Sequence, residues 1–141
     1  MESIAAREAD IIEEFSFLED WMEKYEHIIA LGKELAPMSE SNKVDDNKIK
    51  GCQSQVWVHA RETEEGIHFE ADSDAIITRG MVALLLRVVQ GQSPKDIAQY
   101  DFGFLDQIGL TAHLSPSRAN GLLSMVKQIR LYGVAFQAKR G

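Results

Sequence analysis

Val56-Trp57-Val58-His59-Ala60-Arg61 alternates apolar and polar side chains, Glu64-Glu65-Gly66 follows as a turn, and Ile67-His68-Phe69-Glu70 runs back. Successive side chains of a strand point to opposite faces, so Val56, Val58 and Ala60 share one face and Trp57, His59 and Arg61 the other. The pattern predicts a β-hairpin. Two strands are few for an independent sheet. Either a third strand lies between Lys48 and Cys52, or helices alone cover the hairpin. Trp57 is either a wall beside the preceding loop or a core residue on the hairpin's other face.

Helical signals flank the hairpin on both sides. Upstream, Ile4, Ile11, Ile12 and Phe15 recur at helical spacing. A second helix opens at the capping box Asp20-Trp21-Met22-Glu23, where Asp20 accepts an orphan backbone N–H and Glu23 reaches back. Trp21, Tyr25, Ile28, Ile29 and Leu35 give it one apolar stripe, and Pro37 ends the helix or follows its end. Met38 to Lys50 is polar and reads as an irregular loop. Downstream, Asp72-Ser73-Asp74 offers N-caps for a helix carrying Ile76, Ile77, Met81, Leu84, Leu85, Val88 and Val89. That helix is apolar around much of its circumference, which places it at the centre of the core, and Gly91 is set to end it. Ser93-Pro94 and Ser115-Pro116 each put a serine cap before a proline at the first helical position. The last helix carries Ala119, Leu122, Leu123, Val126, Ile129 and Gly133 on one stripe. Strands grouped together between helices predict an α+β fold, a small antiparallel sheet covered by helices. With no internal repeat, low-complexity tract or linker, residues 1–141 read as a single domain.

The 141 residues are 45% hydrophobic, enough for one core. The net charge of −7 and the absence of a Lys/Arg cluster exclude a nucleic-acid-binding face. Acidic residues crowd the N-terminal part of the sequence, with Glu2, Glu8, Asp10, Glu13, Glu14, Glu19, Asp20, Glu23 and Glu26 outnumbering Arg7 and Lys24. They form either a solvated surface or a face that steers a basic partner. Met1 to Asp10 carries charges where a signal peptide needs an apolar stretch, and the longest apolar run, Met81 to Leu86, is too short for a bilayer. A cytoplasmic protein with no membrane partner is expected.

The chain has one cysteine, Cys52, in Gly51-Cys52-Gln53-Ser54-Gln55 just before the first strand. One thiol excludes an internal disulfide, a CxxC redox pair and a multi-thiolate metal site. Free cysteine is often a buried small hydrophobe. Here glycine precedes the thiol and small polar residues follow it, which favours a reachable loop tip with Gly51, Gln53 and Ser54 as its support. The spacing of His27, His59, His68 and His113 fits no zinc motif. His27 reads as exposed, and His59 and His68 as cross-strand surface residues. His113, in a loop just before a helix start, is the histidine best placed to act beside the thiol. Arg118 puts a positive charge in the first turn of its helix, where the dipole disfavours it. It is either a surface side chain or a group that holds a loop carbonyl or an anionic sulfur. Asp72 and Asp74 read first as helix caps and second as partner contacts. No phosphate loop, paired-carboxylate motif or nucleophile elbow is present.

Gly51-Cys52-Gln53-Ser54-Gln55-Val56-Trp57 resembles the signature of the SufE family of sulfur-acceptor proteins. So do Asp72-Ser73-Asp74-Ala75 with Gly80, and His113-Leu114-Ser115-Pro116-Ser117-Arg118-Ala119-Asn120-Gly121-Leu122. The three blocks keep the family's order over nearly the whole chain, with Ser115 where many members have threonine. The resemblance implies an α+β fold like that of the IscU scaffold. It implies a carrier that takes sulfane sulfur from the persulfide of a SufS-like cysteine desulfurase onto Cys52, stimulates that enzyme, and delivers the sulfur to a SufB-containing iron–sulfur scaffold. The supporting loop and partner contact fall on Gly51, Gln53, Ser54, Asp74, His113 and Arg118. Pyridoxal phosphate belongs to the desulfurase, and no cofactor or metal is expected on this chain. The carrier is expected as a monomer or weak homodimer. A one-cysteine peroxidase-like redox enzyme, a non-catalytic interaction module and a carrier for another desulfurase pathway are the competing readings.

Overall fold

The computed structural model describes residues 2–139. Helix α1 spans Ile4–Ser16 and α2 spans Trp21–Lys33. The capping box at α2 is shifted by one residue from expectation. Asp20 Oδ1 accepts from Glu23 N–H at 2.9 Å, but Glu23 Oε2 accepts from Glu19 N–H at 2.6 Å rather than from Asp20. His27 is not free on the surface. It is half-buried, bonded to Glu14 Oε1 at 2.7 Å and edge-on to Phe15.

The polar segment after α2 folds into two single 3₁₀ turns, Glu40–Asn42 and Asp45–Asn47. Strand β1 (Val56–Thr63) then pairs antiparallel with β2 (Gly66–Ser73), with Val56 opposite Ser73 and Thr63 opposite Gly66. No third strand forms among the described residues. Lys48 to Cys52 contributes one bridge, Lys48 to Trp57, and one bond, Ile49 N–H to Val56 O at 2.8 Å. Val56, Val58 and Ala60 face the core, while Trp57 is half-buried on the outer face beside that segment. His59 faces Glu70 and His68 faces Arg61 on the same outer side.

Helix α3 (Ile76–Val89) is the centre of the core. Met81 to Leu86, Val88 and Val89 are all buried, each large side chain contributing about 1.5–3 kcal/mol. Its first residue departs from expectation, because Ile76 stands 65% exposed. The cap reading of Asp72-Ser73-Asp74 is also overturned. Strand β2 runs on through Ser73, and the N-cap is Ala75, which offers no side-chain acceptor.

The segment leaving α3 seals the free edge of β2. Gln90 uses its side-chain amide as a strand would: Phe69 N–H donates to Oε1 at 2.6 Å, and Nε2 donates to Phe69 O at 2.9 Å. Gly91 N–H to Ile67 O at 2.8 Å and Ile67 N–H to Gln92 O at 2.9 Å continue the ladder. Helix α4 (Pro94–Gln99) opens as expected, with Ser93 Oγ accepting from Asp96 N–H. Short helices α5 (Phe104–Gln107) and α6 (Leu110–His113) lead to α7 (Pro116–Lys139). Helix α7 buries Leu122, Met125 and Ile129, while Leu123 faces outward at 57% exposure. The fold is a two-stranded antiparallel sheet covered by helices, an α+β domain.

Candidate functional site

The cysteine lies where three elements converge. The loop before β1 is pinned at its stem by Asp74, at the end of the hairpin. Gln55 N–H donates to Asp74 Oδ1 at 3.0 Å, and Asp74 N–H donates to Gln55 O at 3.2 Å. At the loop tip Gly51 takes φ +92°, a left-handed value that side chains disfavour. A Cβ on Gly51 would stand 2.7 Å from Ser124 Oγ on α7. Cys52 then turns down onto the same helix one turn earlier. Its Sγ is 3.6 Å from Gly121 O, and a Cβ on Gly121 would come within 3.3 Å of the sulfur. Glycine at 121 therefore sets how closely the thiol sits on α7.

Cys52, half-buried, borders a small cleft of about 90 Å³. Gln53 and Ser54 line it from the loop, Thr78 and Met81 from α3, and Ser117, Arg118, Gly121 and Met125 from α7. Two physical causes keep the thiol neutral there. Burial pushes its pKa up. The Gly121 carbonyl offers an acceptor, which suits an S–H donor and opposes a thiolate. A larger groove of about 520 Å³ lies between α2, β2 and α3, lined by Leu35, Phe69, Leu86 and Arg61, but none of the residues lining it is a thiol nucleophile. The chain's one thiol borders the smaller cleft.

Of the residues singled out in the sequence, Gly51, Cys52, Gln53, Ser54, Asp74 and Arg118 meet at this place. Arg118 stands in the first turn of α7, its N–H donating to Ser115 Oγ at 3.3 Å, and it lines the cleft. His113 does not line the cleft. It ends α6 instead of lying in a loop, stacks on Trp21 at 4.0 Å between ring centroids, and its carbonyl accepts from Tyr25 Oη at 2.8 Å. Its ring serves the packing of α6 on α2. Thr78 and Met125 were not picked out by sequence reasoning, Met81 was read only as a core residue, and Gly121 entered only within the third resemblance block. Thr78 carried a signal, as the one hydroxyl in a helix whose other polar side chains are Arg79 and Arg87. Among the described residues no cluster of three or more histidine, cysteine, aspartate or glutamate side chains could hold a metal ion.

Residues 9–132 match the family model described as SufE, an Fe-S metabolism associated domain. The chain belongs to the SufE family. Uncharacterized SufE-like proteins of Rhizobium meliloti (41% identical, covering 85% of this chain and 89% of the relative) and Rhizobium etli (45%, covering 85% and 84%) are similar to it. So is one from Synechocystis, at 37% identity over 92% of this chain and 81% of the relative. In fold, the chain is similar to the solution structure of a hypothetical protein from Thermus thermophilus, with a TM-score of 0.76 at 18% identity, covering 92% of this chain and 94% of that one. SufE membership ties the chain to iron–sulfur metabolism in a sulfur-transfer accessory role, with a cysteine desulfurase as the kind of partner. No described helix is long and apolar enough to cross a membrane.

Proposed function

We propose that Cys52 accepts sulfane sulfur from the active-site persulfide of a SufS-like, pyridoxal-phosphate cysteine desulfurase and carries it to a SufB-containing iron–sulfur scaffold. The observation that supports this most is the placement of the chain's only thiol on a glycine-led loop tip over a small cleft. The reaction is thiol–persulfide exchange. The Cys52 thiolate attacks the terminal sulfur of the desulfurase persulfide, a new S–S bond forms on Cys52, and the desulfurase cysteine leaves as a thiolate. No oxidant is consumed. A single thiol suits a carrier, because a second one nearby would close a disulfide and release the sulfur as sulfide.

Attack requires an ionised, accessible sulfur. The resting thiol is half-buried and burial raises its pKa, so docking is expected to draw the loop off α7. That movement breaks one weak S–H···O contact and leaves the Asp74 stem in place. Arg118, which lines the cleft, then supplies positive charge for the exposed sulfur. Arg118→Ala should lower desulfurase stimulation about tenfold, the scale of one charge-assisted contact, with the thermal midpoint unchanged.

The acceptor role is tested by incubation with a SufS-like desulfurase, cysteine and pyridoxal phosphate, followed by intact-mass measurement. The wild type should gain one sulfur atom and Cys52→Ser none. A stable added sulfur on Cys52→Ser would overturn the proposal.

A further inference from the structure

Glu70 and Asp72 are two positions apart on β2, so both lie on its outer face. Both carboxylates are spent on the arm that leads from α2 to the cysteine loop. Glu70 Oε1 accepts from Ser39 N–H at 3.1 Å, and its Oε2 accepts from Asn42 Nδ2 at 2.8 Å. Asp72 Oδ2 pairs with Lys43 Nζ at 2.7 Å, while Glu40 meets the same ammonium at 3.2 Å. Asn47 Nδ2 donates to Asn42 O at 2.8 Å, which ties the second 3₁₀ turn to the first. The arm then reaches β1 at the Lys48–Trp57 bridge and the Ile49 N–H to Val56 O bond.

Asp72 is the most buried of these acids. It is 8% exposed, and a carboxylate so placed is costly unless it is paired and hydrogen-bonded. Its Oδ1 accepts from Ser73 N–H at 2.8 Å. Arg79 Nε, in the first turn of α3, stands 3.1 Å from that oxygen without the alignment of a hydrogen bond. Burial works to raise the pKa of Asp72, but the bonds from Lys43 and Ser73 outweigh it and hold the pKa below the ordinary aspartate value. One charged side chain thus joins the arm to the strand and to the helix whose Thr78 and Met81 line the Cys52 cleft.

We propose that Asp72 is a positioning residue for sulfur transfer: by holding Lys43 it fixes the upstream arm and confines the travel of the Cys52 thiol. This rests on the acceptor reading above. The downstream arm is held at Gln55 by Asp74. Cys52 lies three residues from Ile49 and three from Gln55, and three extended residues span at most about 10–11 Å. The tip can leave Gly121 O, but its backbone cannot move further than that from either anchor. A partner persulfide has to be presented within that radius. An anchored thiol also has less freedom to lose when it aligns for attack. Without the Lys43–Asp72 pair, the bridge and the Ile49 bond alone would hold the last residues of the upstream arm. The thiol would then be easier to reach and worse aimed.

The test uses the full chain and three variants. Lys43→Met removes the ammonium and keeps most of the stem, Asp72→Asn keeps the shape and the acceptor for Ser73 N–H, and Lys43→Arg keeps the charge. Thermal melts fix an assay temperature at which every variant is folded. One readout is the rate of Cys52 alkylation by iodoacetamide. The other is sulfur uptake from a SufS-like desulfurase with cysteine and pyridoxal phosphate, at varied carrier concentration. In Lys43→Met and Asp72→Asn, alkylation should speed up severalfold while the maximal rate of uptake falls roughly ten- to a hundredfold. The carrier concentration that gives half the maximal rate should hardly change. Lys43→Arg should match the wild type in both readouts. Wild-type alkylation and uptake in Lys43→Met would overturn the proposal. So would a raised half-maximal concentration at an unchanged maximal rate, because Lys43 would then be a partner contact. If Asp72→Asn did not fold, Lys43→Met, at a side chain only 22% exposed, would decide alone. If the wild type took up no sulfur, the acceptor reading would fail and this inference with it; wild-type uptake matched by every variant would sink this inference alone.

Discussion

Each end of the hairpin has a glycine in the left-handed region, and the two are held in opposite ways. At the turn end Gly66 has φ +137°, and a Cβ there would meet Gly91 O at 2.2 Å and Gln92 O at 2.7 Å. Those atoms are backbone, fixed by the ladder that seals the edge of β2. At the cysteine end Gly51 has φ +92°, and its Cβ would meet Ser124 Oγ, a side-chain atom that can rotate away. The Gly66 end is tied by two backbone bonds and the two-armed amide of Gln90. The stems of the Gly51 end are tied by Asp74 and by the Lys48–Trp57 bridge with its Ile49 N–H to Val56 O bond, and the Gly51–Cys52 tip beyond them by one S–H···O contact. A single small sheet thus has a rigid end that sets the frame and a loose end that carries the reactive group. Segments with few tertiary ties open at low cost, as a loop that must reach a partner requires.

The contrast is tested most strongly by Gly66→Ala. Left-handed strain and an immovable backbone clash add, for a destabilisation of roughly 3–5 kcal/mol in denaturant unfolding. Gln90→Ala leaves Phe69 N–H and C=O unpaired at a buried position and should cost about 2–4 kcal/mol. Neither change should alter the rate at which iodoacetamide alkylates Cys52 in the folded protein. Gly51→Ala reverses the pattern. Its stability cost should be about 1 kcal/mol, since Ser124 can give way, but sulfur uptake from the desulfurase should slow because the tip can no longer change conformation freely. If Gly51→Ala destabilised as much as Gly66→Ala, the two ends would not differ in the way described.

The fixed end was the less legible of the two in the sequence. Period-2 alternation gave the strands and the glycine-led tip gave the cysteine loop, because both are local patterns. The bonding of Gln90 to Phe69 could not be read, since an amide side chain acting as a strand depends on a contact across 21 positions. Asp72-Ser73-Asp74 reads as a cap by local chemistry. Tertiary partners then claim it: Lys43 and Arg79 share Asp72, and Gln55 takes Asp74, two acids that would otherwise serve the helix. His113 fell to the same cause, as stacking on Trp21 uses a ring that sequence position alone sets near Arg118. In the candidate site, the residues adjacent to Cys52 along the chain were visible, and those brought by α3 and by the buried side of α7 were not.

The smallest expected effect is protonic, and it sharpens the comparison at the loose end. Burial raises the Cys52 pKa in the folded protein, so the folded state holds its proton to higher pH than the unfolded chain, whose thiol ionises near ~8.5. Below that value both states are protonated and the thiol has no pH-dependent effect on stability. As pH rises through the unfolded and then the folded pKa, the unfolded chain releases its proton first, and stability falls relative to Cys52→Ser. Unfolding of the two proteins compared across that window should show a small gap opening on the alkaline side only. The alkylation rate of the free carrier should likewise have its midpoint above ~8.5. Gly121→Ala would crowd the sulfur at 3.3 Å and push it outward, which should move that midpoint back toward the ordinary thiol value. A wild-type midpoint at or below the ordinary value would mean that the resting sulfur is already exposed and ionised, and the looseness of this end would then have no shelter to release.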